Sequence, residues 1–236
     1  MKIKKNEFYR KLFVLVLPIT MQNLMTALVS ASDALMLGLL NQSALAAVSL
    51  AAQVQFILNL FYAALTIGTT VLAAQYWGKG DTESVEKILA VVLRISGVIS
   101  CLFFLGAVLI PGALMRIFTD NRELILLGIP YLKIVSPSYL FTGVSQIYLC
   151  IMKNSGRTVR STVYGSISVV LNIILNAALI FGLLGFPNMG IAGAALATTI
   201  SRAVELLLVL LENRKKDAVR IRWKYMTMDH GRLKKD

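Results

Sequence analysis

The sequence predicts an all-α membrane protein of six transmembrane helices, on three observations. Hydrophobic residues make up 57% of the 236-residue chain and charged ones 15%, too little charge to cover a soluble domain of that size. The apolar residues fall into six continuous blocks, each long enough to cross a hydrocarbon core of about 30 Å as a helix. The basic residues collect in alternate connections between the blocks. Continuous runs rather than short alternating ones argue against membrane strands.

Span 1, Leu12–Leu37, follows a basic tail with Lys2, Lys4, Lys5, Arg10 and Lys11. Pro18 interrupts it near its start, where a freed carbonyl permits a bend. Span 2, Val48–Ala74, is reached through "GLLNQSALAA", which has no Lys or Arg. Lys79 and Lys87 precede span 3, Ile88–Ile110, in which Arg94 is expected to snorkel to the headgroups. The third connection carries only Arg116, Arg122 and, at its edge, Lys133. Span 4, Leu132–Met152, is interrupted by Pro137 and followed by Lys153, Arg157 and Arg160. Span 5, Val163–Leu184, turns through "GFPN", again without a cation, into span 6, Gly190–Leu211. Span 6 opens with small residues four apart, Gly190–Ala194 and Gly193–Ala197, which allow close helix packing. Residues 1–212 thus read as one six-helix transmembrane lobe and residues 213–236 as a basic cytoplasmic tail, from Arg214 to Lys235.

The net charge of +12 follows this alternation. The positive-inside rule then places both termini in the cytoplasm of a multi-pass plasma (inner) membrane protein. Anionic lipid headgroups are the partners such a distribution suits, rather than nucleic acid. The first block is too long for a signal-peptide core and lacks a small-residue cleavage site. Cys101 and Cys150 both fall inside predicted helices, so no structural disulfide is expected, and His230 stands alone without a metal-ligand cluster. No nucleophile elbow, zinc-protease helix or P-loop is present, so nothing points to an enzyme or an organic cofactor.

The informative residues are polar groups at membrane depth. Asp33 is the one charged residue between Lys11 and Lys79. Asn23, Thr26, Ser30 and Asp33, spaced three, four and three apart, share one helical face of span 1. Span 2 repeats the pattern with Gln55, Asn59, Tyr62, Thr66 and Thr69 or Thr70, and span 5 has Ser168, Asn172 and Asn176. Span 6 carries Thr198, Arg202 and Glu205, the last two spaced to pair with each other. Interhelical bonds of single Ser or Thr residues contribute about 0.6 kcal/mol and account for isolated cases. A carboxylate near the middle of a span costs roughly 2.5–3.5 kcal/mol and marks a cavity or an ion path. Counted from the predicted span ends, Asp33, Asn172, Asn176 and Thr198 fall at similar depth in the mid-to-outer membrane. That all-oxygen set suits a hard cation or a shared proton.

Four stretches together resemble the multidrug and toxic compound extrusion (MATE) family. They are "LPITMQNL…SASDALMLG" in span 1, "AAQYWGKGD" after span 2, "IMKNSGRTVRS" between spans 4 and 5, and "NIILNAALIFGLLGFPNMGIAGAALATTISR" through spans 5 and 6. The resemblance implies one lobe of a secondary antiporter that exports organic, often cationic, compounds in exchange for Na⁺ or H⁺. It implies a cation- or proton-binding set of Asp33, Asn172, Asn176 and Thr198 (or Thr199), with Asp33, Asn172 and Asn176 holding the metal ion if the coupling is to Na⁺. Asn23, Thr26, Ser30, Gln55, Asn59 and Tyr62 are then expected to line the substrate cavity. Some members carry an acid where Asn176 stands, so one negative charge here replaces two. The family has twelve helices in two lobes, and the tail resembles the linker between them. A truncated or split product is therefore expected, or a half that pairs with a second six-helix half. The alternatives are a lipid-linked oligosaccharide flippase of the same superfamily and a membrane fragment without transport of its own.

Overall fold

Helix ends form in this chain where capping side chains and glycines meet the apolar blocks. The structure is a computed structural model and describes residues 5–215 and 218–226. Lys2, Lys4, Lys216, His230, Arg232, Lys234 and Lys235 lie outside the described residues, as do the side chains of Lys5, Arg10, Lys11 and Pro18. Nine α-helices and one 3₁₀ turn make up the described regular structure, with no strand among those residues.

Helix α1 (Lys5–Leu40) and α2 (Gln42–Gly78) are separated by Asn41, whose side chain accepts the Ala44 N–H at 2.6 Å. Asp81 caps α3 (Thr82–Leu109), accepting the Ser84 N–H at 3.0 Å and the Ser84 hydroxyl at 2.5 Å. Two short helices follow, α4 (Pro111–Arg116) and α5 (Arg122–Val135), the latter capped by Asn121 accepting the Glu123 N–H at 2.9 Å. Helix α6 (Pro137–Asn154) continues α5 at an angle of 50°. Helix α7 (Thr158–Phe181) ends on Gly182 at φ 71°, a left-handed position that suits glycine. Helix α8 (Gly190–Asn213) completes the bundle, and one turn, α9 (Trp223–Met226), lies in the tail.

Five helices are individually long and apolar enough to cross a membrane, and α5 with α6 makes a sixth, broken span. The six predicted spans are therefore present, with two differences and one expectation met. The connection expected between spans 3 and 4 is mostly helical, because charges at Arg116, Asp120, Arg122 and Glu123 lowered its hydropathy without removing its helix signals. Pro137 breaks span 4 as expected, since it has no N–H to continue the α5 ladder and sits at the first position of α6. Pro18 does not break α1, which is continuous from Lys5 to Leu40.

Two apolar clusters hold the lobe. One, around Leu58, Met115, Leu132, Tyr139 and Ile180, lies toward the end where α1 meets α2 and α7 meets α8, here called the neutral end. The other, around Val85, Leu89, Tyr148, Ile151 and Val209, lies toward the opposite, basic end. The α7–α8 packing is the most extensive contact. A Cβ on Gly193 would stand 2.6 Å from the Leu179 carbonyl oxygen, so glycine there lets the two backbones touch. Both cysteines are free.

The tail folds back onto the basic end. Tyr148 donates to the Val219 carbonyl at 3.0 Å, and Ile221 N–H to Asn213 Oδ1 at 2.7 Å. Glu86 accepts the Arg220 N–H at 3.2 Å and pairs with Arg222 Nε at 2.7 Å. Arg94 is not directed at headgroups. Its guanidinium donates to the Tyr225 carbonyl, because the tail supplies a nearer acceptor. At the same end Glu212 is paired with Arg157 at 3.3 Å, Arg160 at 3.2 Å and Lys215, and accepts the Tyr164 hydroxyl at 2.6 Å.

Candidate functional site: an acidic cavity between α1, α2, α7 and α8

Spacing of four along α7 stacks Ser168, Asn172 and Asn176 on one face, and the close α7–α8 contact brings that face to Thr198. Asp33 reaches the same place from α1. It lies seven residues from Leu40, about 10 Å from the neutral end at 1.5 Å per residue. Asn176 Nδ2 donates to Asp33 Oδ1 at 2.6 Å and approaches Asn172 Oδ1 at 3.3 Å. Asn172 Nδ2 in turn approaches Thr198 Oγ1 at 3.4 Å, and that hydroxyl bonds the Ala194 carbonyl at 3.1 Å. The structure thus brings Asp33, Asn172, Asn176 and Thr198 into one chain of contacts. Thr199 turns away, its hydroxyl 2.9 Å from the Ile134 carbonyl of α5.

Asn176 is 1% exposed, and its Oδ1 has no hydrogen-bond partner. A buried, unpaired carbonyl beside a carboxylate is costly, and a cation is one group that satisfies both. Asn172 Oδ1 and Thr198 Oγ1 add two more oxygens. The donor set therefore fits a hard cation, with one formal negative charge. No cluster of three or more His, Cys, Asp or Glu residues of the kind that holds a transition metal occurs among the described residues.

A cavity of about 340 Å³ opens beside this set. Asp33, Asn172 and Thr198 are on its wall, together with Thr26, Ser30, Gln55 and Asn59. Two of the expected lining residues are elsewhere. Asn23 is exposed but is not on the cavity wall. Tyr62 is buried, donating to the Tyr139 carbonyl at 2.8 Å and meeting Ser100 Oγ at 2.8 Å, so it ties α2 to α3 and α6. Tyr131 of α5 and Arg202 of α8 are on the wall without having been expected there. Tyr131 falls by sequence in the third connection, and the apolar run "LILLGIPYLKIV" just before Pro137 is the signal that it is helical. Arg202 also makes its expected pair, with Glu205 Oε2 at 2.6 Å.

Six apolar spans and a polar cavity whose one acidic residue is Asp33 define a multi-pass membrane protein with a candidate small-ligand site. Residues 18–178 match the MatE family model, and the chain belongs to that family. It is 31% identical over 205 residues to the probable multidrug resistance protein NorM of Thermotoga maritima, covering 84% of this chain and 43% of the relative. It is 30% identical over 191 residues to the multidrug resistance protein PmpM of Pseudomonas aeruginosa, covering 80% and 40%. In fold it superposes on an outward-facing multidrug resistance MATE transporter of the MOP superfamily with a TM-score of 0.81. That alignment is 22% identical and covers 93% of this chain and 48% of the other. An inward-facing MATE transporter gives 0.76 at 23% identity, covering 88% and 47%. The chain spans about half the length of the proteins it matches, and corresponds to an N-terminal six-helix half.

Proposed function

We propose that this chain is one half of a secondary active antiporter that exports organic, cationic compounds in exchange for Na⁺ or H⁺. It works in the plasma (inner) membrane with its basic end, and so both termini, in the cytoplasm, as the charge alternation suggests. One observation carries the reading: the Asp33 carboxylate, bonded to Asn176 at 2.6 Å, stands on a cavity wall next to an unpaired buried amide oxygen. The names of the similar proteins support it.

Asp33 takes either the coupling ion or the positively charged compound. Protonation or ion binding cancels its charge and weakens its hold on an organic cation, which is the exclusion that antiport needs. Asn172, Asn176 and Thr198 orient the carboxylate and supply the remaining oxygens. Thr26, Ser30 and Asn59 are exposed polar groups on helices at membrane depth, a face that does not suit lipid. A second six-helix half, from the same or another chain, covers that face and closes the cavity.

The test is ethidium efflux from membrane vesicles under an imposed Na⁺ gradient at constant pH, or a pH gradient without Na⁺. Asp33→Asn is expected to lower gradient-driven efflux by about tenfold or more, the scale of one lost charge contact of roughly 1.4 kcal/mol. The gradient that drives efflux identifies the coupling ion. Undiminished coupled efflux in Asp33→Asn defeats the reading.

A further inference from the structure

The polar face of α2 does not stop at the cavity. Gln55 and Asn59 line the cavity, and Thr66 and Thr70 continue the face toward the basic end. At 1.5 Å per residue they lie roughly 10 and 16 Å beyond Asn59. There α6 carries a matching series, Gln146, Cys150 and Asn154, spaced four apart. Thr70 Oγ1 stands 3.3 Å from Cys150 Sγ, and Asn154 Nδ2 donates to Thr70 Oγ1 at 3.2 Å and to Cys150 Sγ at 3.5 Å. The Cys150 thiol reaches the Thr66 carbonyl at 3.5 Å.

Packing between α2 and α6 is one use for such contacts, but exposure argues for more. Thr70 is exposed, Thr66, Cys150 and Asn154 are half-buried, and no described donor reaches Asn154 Oδ1. Thr66 and Thr70 also lie inside the apolar block that ends at Ala74. Open hydrogen-bonding groups at that depth line protein-walled or watered space rather than hydrocarbon. The cluster's oxygens and sulfur all accept hydrogen bonds, and none carries a charge.

We propose that Thr66, Thr70, Cys150 and Asn154 form an inner binding station for the transported compound, taking the N–H groups of an organic amine or cation. The proposal rests on the reading of this chain as half of an exporter of such compounds. An uncharged station holds a cation loosely enough to pass it on to Asp33, where a full charge holds it more tightly. Passage along a wall needs such weak, repeated sites, since binding has to permit both entry and departure.

Cys150 provides the probe, because Cys101→Ser leaves it as the single thiol of the chain. In inside-out vesicles a charged methanethiosulfonate, which does not enter hydrocarbon, is expected to modify Cys150. Saturating ethidium, a cation with two aryl amines, is expected to slow that modification about fivefold. Thr70→Val and Asn154→Leu, made separately, are expected to abolish the protection while Cys150 stays reactive. A Cys150 that the reagent reaches only after unfolding in detergent overturns the proposal, and so does a modification rate that ethidium leaves unchanged. Asp33→Asn separates the two readings. Protection that persists while Asp33→Asn leaves efflux undiminished supports the inner station and removes the coupling role of Asp33. Lost protection with Asp33-dependent efflux intact does the reverse.

Discussion

Asp33 on α1 and Tyr62 on α2 show how residues of the polar stripes divide between two jobs. Asp33 is legible from sequence alone, as a lone carboxylate in a long apolar run ending a stripe of small polar groups. Its partners on α7 and α8 are legible as residues at matching depth, although which amide reaches it is not. The 2.6 Å contact falls to Asn176 because one further turn along α7 carries the amide toward α1. Tyr62 belongs by spacing to the same α2 face as Gln55 and Asn59, yet it is buried in packing. At 100° per residue, Asn59, Thr66 and Thr70 fall about 20–60° to one side of Gln55, while Tyr62 and Thr69 fall about 20–40° to the other. Both are buried, and Tyr62 meets α3 and α6, a distinction that depends on where neighbouring helices stand. Tyr62→Phe is therefore expected to leave ethidium efflux within about twofold of the parent and to cost about 1 kcal/mol of stability. The Tyr139 carbonyl loses a donor, while Ser100 keeps its 2.6 Å bond to the Ser96 carbonyl. Efflux kinetics and the unfolding midpoint in detergent measure the two quantities, and a large loss of efflux at unchanged stability would place Tyr62 in the transport path.

Helix elements were legible wherever hydropathy and capping agreed, and less so where they did not. The apolar blocks located α1, α2, α3, α7 and α8, but α5 escaped because its first turn is charged. Its caps were nevertheless present, in Asn121 before "RELI" and in Pro137 after "KIVS". The α2–α3 connection makes a similar point through Asp81, whose side chain fixes where α3 begins. The Ser84 hydroxyl and N–H, both donating to that carboxylate, hold its pKa below the usual aspartate range. A depressed folded-state pKa means that the unfolded chain takes up the proton more readily. The contribution is complete above the unfolded value of about 3.9 and is lost as pH falls through the lower folded value. Asn is an equally good N-cap but does not titrate. Asp81→Asn is thus expected to match the parent's unfolding midpoint less closely at pH 6 than at pH 3, which lies below the unfolded value, so that the carboxylate's contribution has begun to be lost. Parallel midpoint curves for the two proteins between pH 6 and pH 3 would remove Asp81 from the acid response.

At the scale of the whole molecule, the long basic tail was legible as a charge pattern but not as a structural part. Cations in a terminal segment satisfy the positive-inside rule whether or not they fold, so spacing alone gave no reason to dock them. The structure supplies one in residues 218–226, which lie across the basic ends of α3 and α6 and bury Val219 and Tyr225. Glu86 is the centre of that attachment. It is 6% exposed, accepts the Arg220 N–H and pairs with Arg222. A hydrogen bond to a charged group contributes about 1.5–3 kcal/mol when buried, and Arg222 is half-exposed, so the lower end of that range applies. Glu86→Ala should then raise the population of the undocked segment about tenfold, since roughly 1.4 kcal/mol corresponds to one decade. Arg220 and Arg222 are trypsin sites within the segment, and cleavage of a transiently open region follows its open population when reclosing is fast. Trypsin is accordingly expected to cut the segment of Glu86→Ala about tenfold faster than that of the parent, as followed by mass spectrometry of the released peptides. The variant should retain the Asp33-dependent step of ethidium efflux, because Glu86 is at the opposite end of the bundle from the acidic cavity. Equal cleavage rates would show that the apolar contacts of Val219 and Tyr225, rather than the Glu86 pairings, hold the tail in place.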